Sequence, residues 1–230
     1  MIIGIMQPYF MPYIGYFQLM KAVDKYIIYD DVNYIKGGWV SRNNILVNGE
    51  KKMFTITLQG ASPNKLFNEI EIKDDFKKLM KTLQMCYSKS INFKETMLLM
   101  EKITSFPQKQ LSQFIANSFQ EILNYLSIDT ELILSSNIHK NNSLKGKDKV
   151  LHICKTLGAD TYYNAIGGQG LYNKKEFGEN GITLNFIETI MQPYPQLHVC
   201  DFVPYLSIID ILMNNSKEDI NTLLDSFILR

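Results

Sequence analysis

A strand, a helix and a second strand crowd into residues 2–31 of this chain, and that order restricts its fold more than any other feature. The opening run Ile2-Ile3-Gly4-Ile5-Met6 is short, apolar and rich in β-branched residues, as a buried strand requires. Pro8 and Pro12 break it. Tyr13, Tyr16, Phe17 and Met20 then recur at helical spacing, which predicts a helix starting near Pro12 and running to Val23. KYIIYDD, residues 25–31, reads as the second strand. Two strands joined by a crossover helix lie parallel, so both carboxyl ends meet on one edge.

The same alternation returns later. Asn48-Gly49 between NILV and KKMFTITL predicts a tight hairpin. Residues 74–126 are helical in pattern, through Leu79, Met80 and Leu83, then Met97, Leu98 and Met100, then Phe114, Ile115, Phe119 and Ile122. Strands are expected at 131–136, 161–167 and 182–188, and helices at 147–160 and over YLSIIDILMNNS with SKEDINTLLDSF behind it. The pattern predicts an α/β fold: a Rossmann-like, mostly parallel sheet with flanking helices and a helical middle insertion. A chain of 230 residues suits a single α/β domain, 1–230, with 60–130 as a helical lid or subdomain. The pentapeptide IMQPY recurs at 190–194 without similar surroundings and reads as coincidence.

Net charge of +1 gives no global attraction to nucleic acid or to an anionic membrane. Cys86, Cys154 and Cys200 are far apart and odd in number, which fits neither a disulfide framework nor a zinc site. The expectation is a cytoplasmic protein with no signal peptide, no membrane insertion and no metal.

The loop after the first strand is richer than a strand-to-helix turn needs. It falls where open α/β sheets bind ligands, beyond the carboxyl ends of the strands. Gln7 both donates and accepts through its amide. The hydroxyls of Tyr9, Tyr13 and Tyr16 each require a partner if buried, whereas Phe10, Phe17 and Met20 read as core. A helix start also offers free N–H groups to a diphosphate. Tyr13-Ile14-Gly15-Tyr16 has the ring–glycine–ring spacing of the HxGH nucleotidyltransferases, although tyrosine cannot become a cationic phosphate ligand. A second cluster follows, with Asp30, Asp31, Lys36, Gly37, Gly38, Trp39, Arg42 and Asn43. Arg42 suits bidentate capture of phosphate or carboxylate, and Lys36 adds a point charge. One aspartate of the pair serves as general base, since side chains alternate along a strand. Elsewhere, Gly167 and Gly168 open a GGQG turn that could edge a site, and the basic run 145–149 reads as a solvated helix start, a phosphate contact being the alternative. His152 and Cys154 read as core, and His198, Cys200 and Asp201 are sequence neighbours rather than a triad.

The run QPYFMPYIGYFQLMKAVDKYIIYDDVNYIKGGWVSRNNIL, residues 7–46, resembles the opening signature of the WbqC-like family. CKTLGADTYYNAIGGQGLY (154–172), FGENGITLNF (177–186) and FVPYLSIIDILMNNS (202–216) agree as well. The resemblance implies a transferase of O-antigen or other surface-polysaccharide synthesis, passing a glycyl-like aminoacyl or acyl group to the amine of a nucleotide-linked amino sugar. It carries over to Gln7, Tyr9, Tyr13, Gly15, Tyr16, Trp39, Arg42, Asn43, Gly167, Gly168 and Ser207 as binding residues, and to Asp30, Asp31 and Lys36 as catalytic ones; Tyr87, Tyr172 and Asp210 match the pattern too. Ser41 stands where asparagine is usual, and the helix near 77–87 lacks the family's histidine. The implied partners are a nucleotide sugar and an activated acyl or aminoacyl donor, a charged tRNA among the candidate donors. No cofactor is required beyond a nucleotide or that donor, and a homodimer is compatible with the sequence. The rival readings are a nucleotide-dependent, nucleotidyltransferase-like ligase and a non-catalytic partner in polysaccharide assembly.

Overall fold

The computed structural model describes residues 1–230. The expected opening unit is formed by β1 (Ile2–Met6), α1 (Ile14–Lys21) and β2 (Lys25–Ile28), with β1 and β2 parallel. The hairpin β3 (Arg42–Val47) and β4 (Glu50–Thr55) turns at Asn48 and Gly49, whose φ angles of 53° and 80° suit the left-handed pair of a type I′ turn. Two short antiparallel strands follow, β5 (Leu58–Gln59) and β6 (Glu71–Ile72), then α2 (Lys77–Tyr87), α3 (Phe93–Thr104) and α4 (Leu111–Leu126). The remainder alternates through β7 (Glu131–Leu134), α5 (Gly146–Thr156), β8 (Thr161–Ala165), α6 (Lys174–Glu179), β9 (Thr183–Thr189), α7 (Ile208–Asn214), α8 (Lys217–Leu224) and β10 (Phe227–Leu229).

The central sheet runs β10-β9-β8-β1-β2-β7, and every pairing in it is parallel except β10 with β9. Outward from β1 the chain adds β2 and β7 on one side, then crosses over to add β8 and β9 on the other. The winding therefore reverses between β1 and β8, the position at which such sheets open a crevice at their carboxyl edge. The α/β expectation holds; α6 and the closing strand β10 were not foreseen. β2, β7 and β8 end earlier than the expected 25–31, 131–136 and 161–167: Asp30 and Asp31 lie in the loop beyond that edge, and Ser135, Ser136 and Gly167 in short 3-10 turns there.

Strand alternation divides the core. Tyr26 and Ile28 of β2 join a 40-residue apolar cluster with α1, α4, α7 and α8, while Ile27 joins a 14-residue cluster on the opposite face with α5 and α6. Leu83 of α2, Met100 of α3 and Phe114 of α4 belong to the larger cluster, so the middle helices and α1 share one core. α1 is buried from Ile14 to Met20. Its one buried amide, Gln18, donates to the Leu223 and Ser226 carbonyls at 3.0 Å each, which fixes α1 to the end of α8. No helix is long and apolar enough to cross a membrane.

Candidate functional site

The loop between β1 and α1 is held by its backbone. Phe10 N–H donates to the Val40 carbonyl at 2.8 Å. Met11 sits at φ 47°, an unusual conformation for a bulky residue that needs support from its surroundings. Its carbonyl accepts from Asn43 Nδ2 at 2.7 Å and from Ser207 Oγ at 2.8 Å, and Ile208 N–H takes the Pro12 carbonyl at 2.8 Å. Two distant parts of the chain, 40–43 and 207–208, thus fix the position from which Tyr13 enters α1.

Over this loop opens a cavity of about 270 Å³, lined by Tyr9, Pro12, Tyr13, Tyr16, Trp39, Asn43, Asn44, Lys51 and Tyr205. Tyr9 stacks on Tyr16 at 5.3 Å, Tyr13 meets Tyr16 edge-on at 6.1 Å, and Tyr205 closes on Tyr13 at 6.4 Å. A Cβ on Gly15 would lie 2.5 Å from the Tyr13 ring, so this ring position requires glycine there. Burial pushes the Tyr9, Tyr13 and Tyr16 phenols above their usual range, and they act as neutral hydrogen-bonding rings. At the rim, the Arg42 guanidinium lies 5.8 Å over Trp39 while its Nε donates to the Gly38 carbonyl at 2.9 Å. Lys51 reaches the Pro204 carbonyl at 3.4 Å.

The expected aspartates lie elsewhere. Asp30 is fully buried, and its carboxylate accepts from Ser136 N–H at 2.9 Å and Ser136 Oγ at 2.7 Å. Burial pushes its pKa up despite those bonds. Asp31 pairs with Lys140 at 2.8 Å and Lys149 at 3.0 Å. Burial alone would raise its pKa, but the two ammonium groups outweigh burial and hold it below the usual range. Neither aspartate lines the aromatic cavity; Asp31 lines a separate polar cavity of about 580 Å³ beyond β2 and β7. The general-base role expected of this pair meets that obstacle: one carboxylate is enclosed, and the other is a weakened base in an ion-pair cluster.

The other expected residues divide. Tyr9, Tyr13, Tyr16, Trp39 and Asn43 converge on the aromatic cavity, and Arg42 borders it through Trp39. Gln7 stands behind Tyr9, accepting from its hydroxyl at 3.5 Å. Ser207 is buried as the N-cap of α7, its Oγ accepting from Ile209 N–H at 3.3 Å while donating to Met11. It positions the loop rather than facing the cavity. Lys36 is exposed on the connection to β3. Gly167 and Gly168 turn the chain after β8, Gly168 packing so tightly on Asn164 that a Cβ would meet its amide at 2.5 Å. The thiol of Cys154 is buried and pushed up to about 12, as a core residue's would be.

Sequence reasoning missed Asn44, Lys51 and Tyr205 as wall residues. Lys51 follows the hairpin turn, and Tyr205 lies in a segment, 190–206, with no regular structure to reveal its direction. That segment is anchored on Asp210, which is fully buried at the start of α7. Its carboxylate accepts from Tyr87 at 2.6 Å, Tyr194 at 2.9 Å and Gln196 at 3.2 Å, and burial raises its pKa against those donors. Tyr87 also accepts from Leu46 N–H at 2.9 Å, so one carboxylate joins α2, α7, β3 and the cavity wall.

A relative from Mycobacterium tuberculosis, the uncharacterized protein Rv1507c, is 28% identical over 222 residues, covering 94% of each chain. No solved structure matches. The WbqC-like protein family is matched over residues 7–222, which takes in both cavities and every strand of the sheet except β1 and β10. This chain belongs to the WbqC-like protein family.

Proposed function

We propose that this protein is a transferase of surface-polysaccharide biosynthesis, passing an aminoacyl or acyl group to the amine of a nucleotide-linked amino sugar. The observation that supports this reading is the tyrosine-lined cavity with cations at its rim. Its volume of about 270 Å³ is at the low end for a small-molecule site, so it takes one ring of a ligand rather than a whole nucleotide sugar. The phenol faces and the Asn44 side chain suit a sugar or base, while Asn43 holds the loop beneath them. Arg42 and Lys51 then meet the diphosphate outside the cavity, where Arg42 acts as a fork and Lys51 as a point charge. Lys36, exposed on the same connection, adds to that positive field.

In this reading the free amine of the sugar attacks the donor's activated carbonyl carbon. The tetrahedral adduct expels the donor's leaving group, and the ammonium proton passes to water at the open mouth. No carboxylate lines the cavity, so acceleration comes chiefly from holding amine and acyl group in line. A calorimetric titration against nucleotide-linked amino sugars tests it. Saturable binding is expected, weakened by about tenfold or more in Trp39→Ala and Arg42→Ala. Equal affinity in wild type and both variants, or no binding by any nucleotide sugar, would refute the reading.

A further inference from the structure

We infer that Tyr205 is the residue that closes the aromatic cavity over its ligand, carried on a movable arm, 197–205, which Gln196 positions. This deepens the reading of that cavity: the ligand rests on that reading, the movement does not. Tyr205 is 60% exposed, yet its ring lies 6.4 Å from that of Tyr13 and lines the cavity. It is a wall backed by solvent rather than by core. Tyr9, Tyr13 and Tyr16 stand instead on the loop and helix that Val40, Asn43 and Ser207 hold in place.

The segment that carries Tyr205 is hydrogen-bonded to the rest of the fold only through side chains. Ile190 N–H donates to the Ser226 carbonyl at 2.9 Å, and Ser207 N–H donates to the Asn44 carbonyl at 2.8 Å. Between them, no backbone group of 191–206 bonds to the backbone of another segment. Pro193, Pro195 and Pro204 lack an N–H and fix their own φ, which stiffens a stretch without regular structure. Its base is firm. Tyr194 packs against the larger core cluster, and Tyr194 and Gln196 both donate to the buried Asp210 carboxylate, at 2.9 and 3.2 Å.

Beyond that base the arm is held by little. The Gln196 amide closes it into a loop, Nε2 donating to the Val203 carbonyl at 3.0 Å while Oε1 accepts from Val203 N–H at 2.8 Å. Phe202 meets Tyr194 edge-on at 5.1 Å. The tip rests on the β3–β4 turn, where the His198 carbonyl crosses Gly49, and Lys51 reaches the Pro204 carbonyl at 3.4 Å from an exposed position. His198 and Tyr205, at φ 60° and 57°, bracket the arm in a conformation that bulky residues seldom adopt, so displacement relaxes both ends. A ring enters as the arm lifts from the hairpin, and Tyr205 returns over Tyr13 to cover it. Gln196 touches no ligand; it sets where Tyr205 comes to rest.

Two measurements on the full chain test this. The first is hydrogen exchange without ligand. Amides of 197–205 are expected to open locally, and Gln196→Met should speed their exchange by about tenfold while β9 and α7 keep wild-type protection. Protection of 197–205 equal to that of α7, or a Gln196→Met variant that loosens β9 and α7 along with the arm, would overturn the proposal. The second is stopped-flow fluorescence of Trp39, the single tryptophan and itself a cavity wall, on mixing with uridine diphosphate glucosamine. Tyr205→Ala should raise the dissociation rate about tenfold with little change in association, and Gln196→Met should raise it less. Tyr205→Phe, which keeps the ring, is expected to recover most of the slow dissociation. A dissociation rate unchanged in Tyr205→Ala would sink the closing role. If no nucleotide-linked amino sugar binds the wild type, the sugar reading falls, and the exchange result alone decides the arm.

Discussion

A Cβ placed on Gly15 would sit 2.5 Å from the Tyr13 ring, so Gly15→Ala must displace either the ring or the first turn of α1. The expected result is a stability loss of about 1–3 kcal/mol in urea denaturation, the usual range for overpacking, with a larger relative loss of nucleotide-sugar affinity. The buried carboxylates provide a second test because their pKa values move in opposite directions. Asp31 is held below its ordinary 3.8, so its contribution is present above that pH and is lost as pH falls through the folded value. Asp31→Ala leaves Lys140 and Lys149 buried without their partner and should cost about 3–5 kcal/mol at neutral pH. Asp210 is raised above 3.8, so its contribution is full below that pH and declines as pH rises through the folded value. Relative to wild type, Asp210→Asn should therefore gain stability as pH climbs from about 4 toward neutrality. Urea midpoints measured across that range check the sign, and a flat difference would contradict it.

Among the elements, the β3–β4 hairpin links local sequence most directly to the site. Asn48-Gly49 was legible as a turn because few residue pairs adopt two consecutive left-handed conformations. What the turn packs against was not legible: a Cβ on Gly49 would lie 2.1 Å from the His198 carbonyl oxygen. Gly49→Ala thus combines a strained φ of 80° with a collision against the 190–206 segment. It should destabilise the fold by more than about 1 kcal/mol. It should also weaken binding at the aromatic cavity, since Lys51 and Tyr205 stand on the two displaced parts. A variant with wild-type urea midpoint and wild-type nucleotide-sugar affinity would show that hairpin and segment do not hold one another. The shortening of β2 and β7 has a related cause. Asp30-Asp31 and Ser135-Ser136 follow the two ladders, and Asp30 turns its carboxylate onto Ser136 and joins the two connections by side-chain bonds.

For the whole molecule, the larger core cluster contains residues of β2, of α1 and of all three middle helices. Leu83, Met100, Phe114 and Phe119 therefore share their burial with Phe17 and Tyr26. Hydrogen exchange should find the α4 amides protected to the same degree as those of β2, as befits one cooperative unit. Exchange from α2–α4 through a separate, lower-energy opening would instead mark the middle third as an independent subdomain. The reversal of winding between β1 and β8 was not visible from the order of elements alone, since strands of the same length and hydrophobicity fit several sheet orders.

By itself the sequence determined the periodicities: strand–helix–strand at the start, a hairpin at Asn48-Gly49, and an aromatic loop too rich for a turn. These are local, set by residue types a few positions apart. The tertiary structure alone decided which chemistry those residues share. It set Tyr205 and Lys51 against Tyr13, separated Asp31 from the rings next to which it was expected, and gave it Lys140 and Lys149 instead. The physical reason is that a charge or a phenol takes its role from what surrounds it, and those surroundings come from segments tens to nearly two hundred residues away.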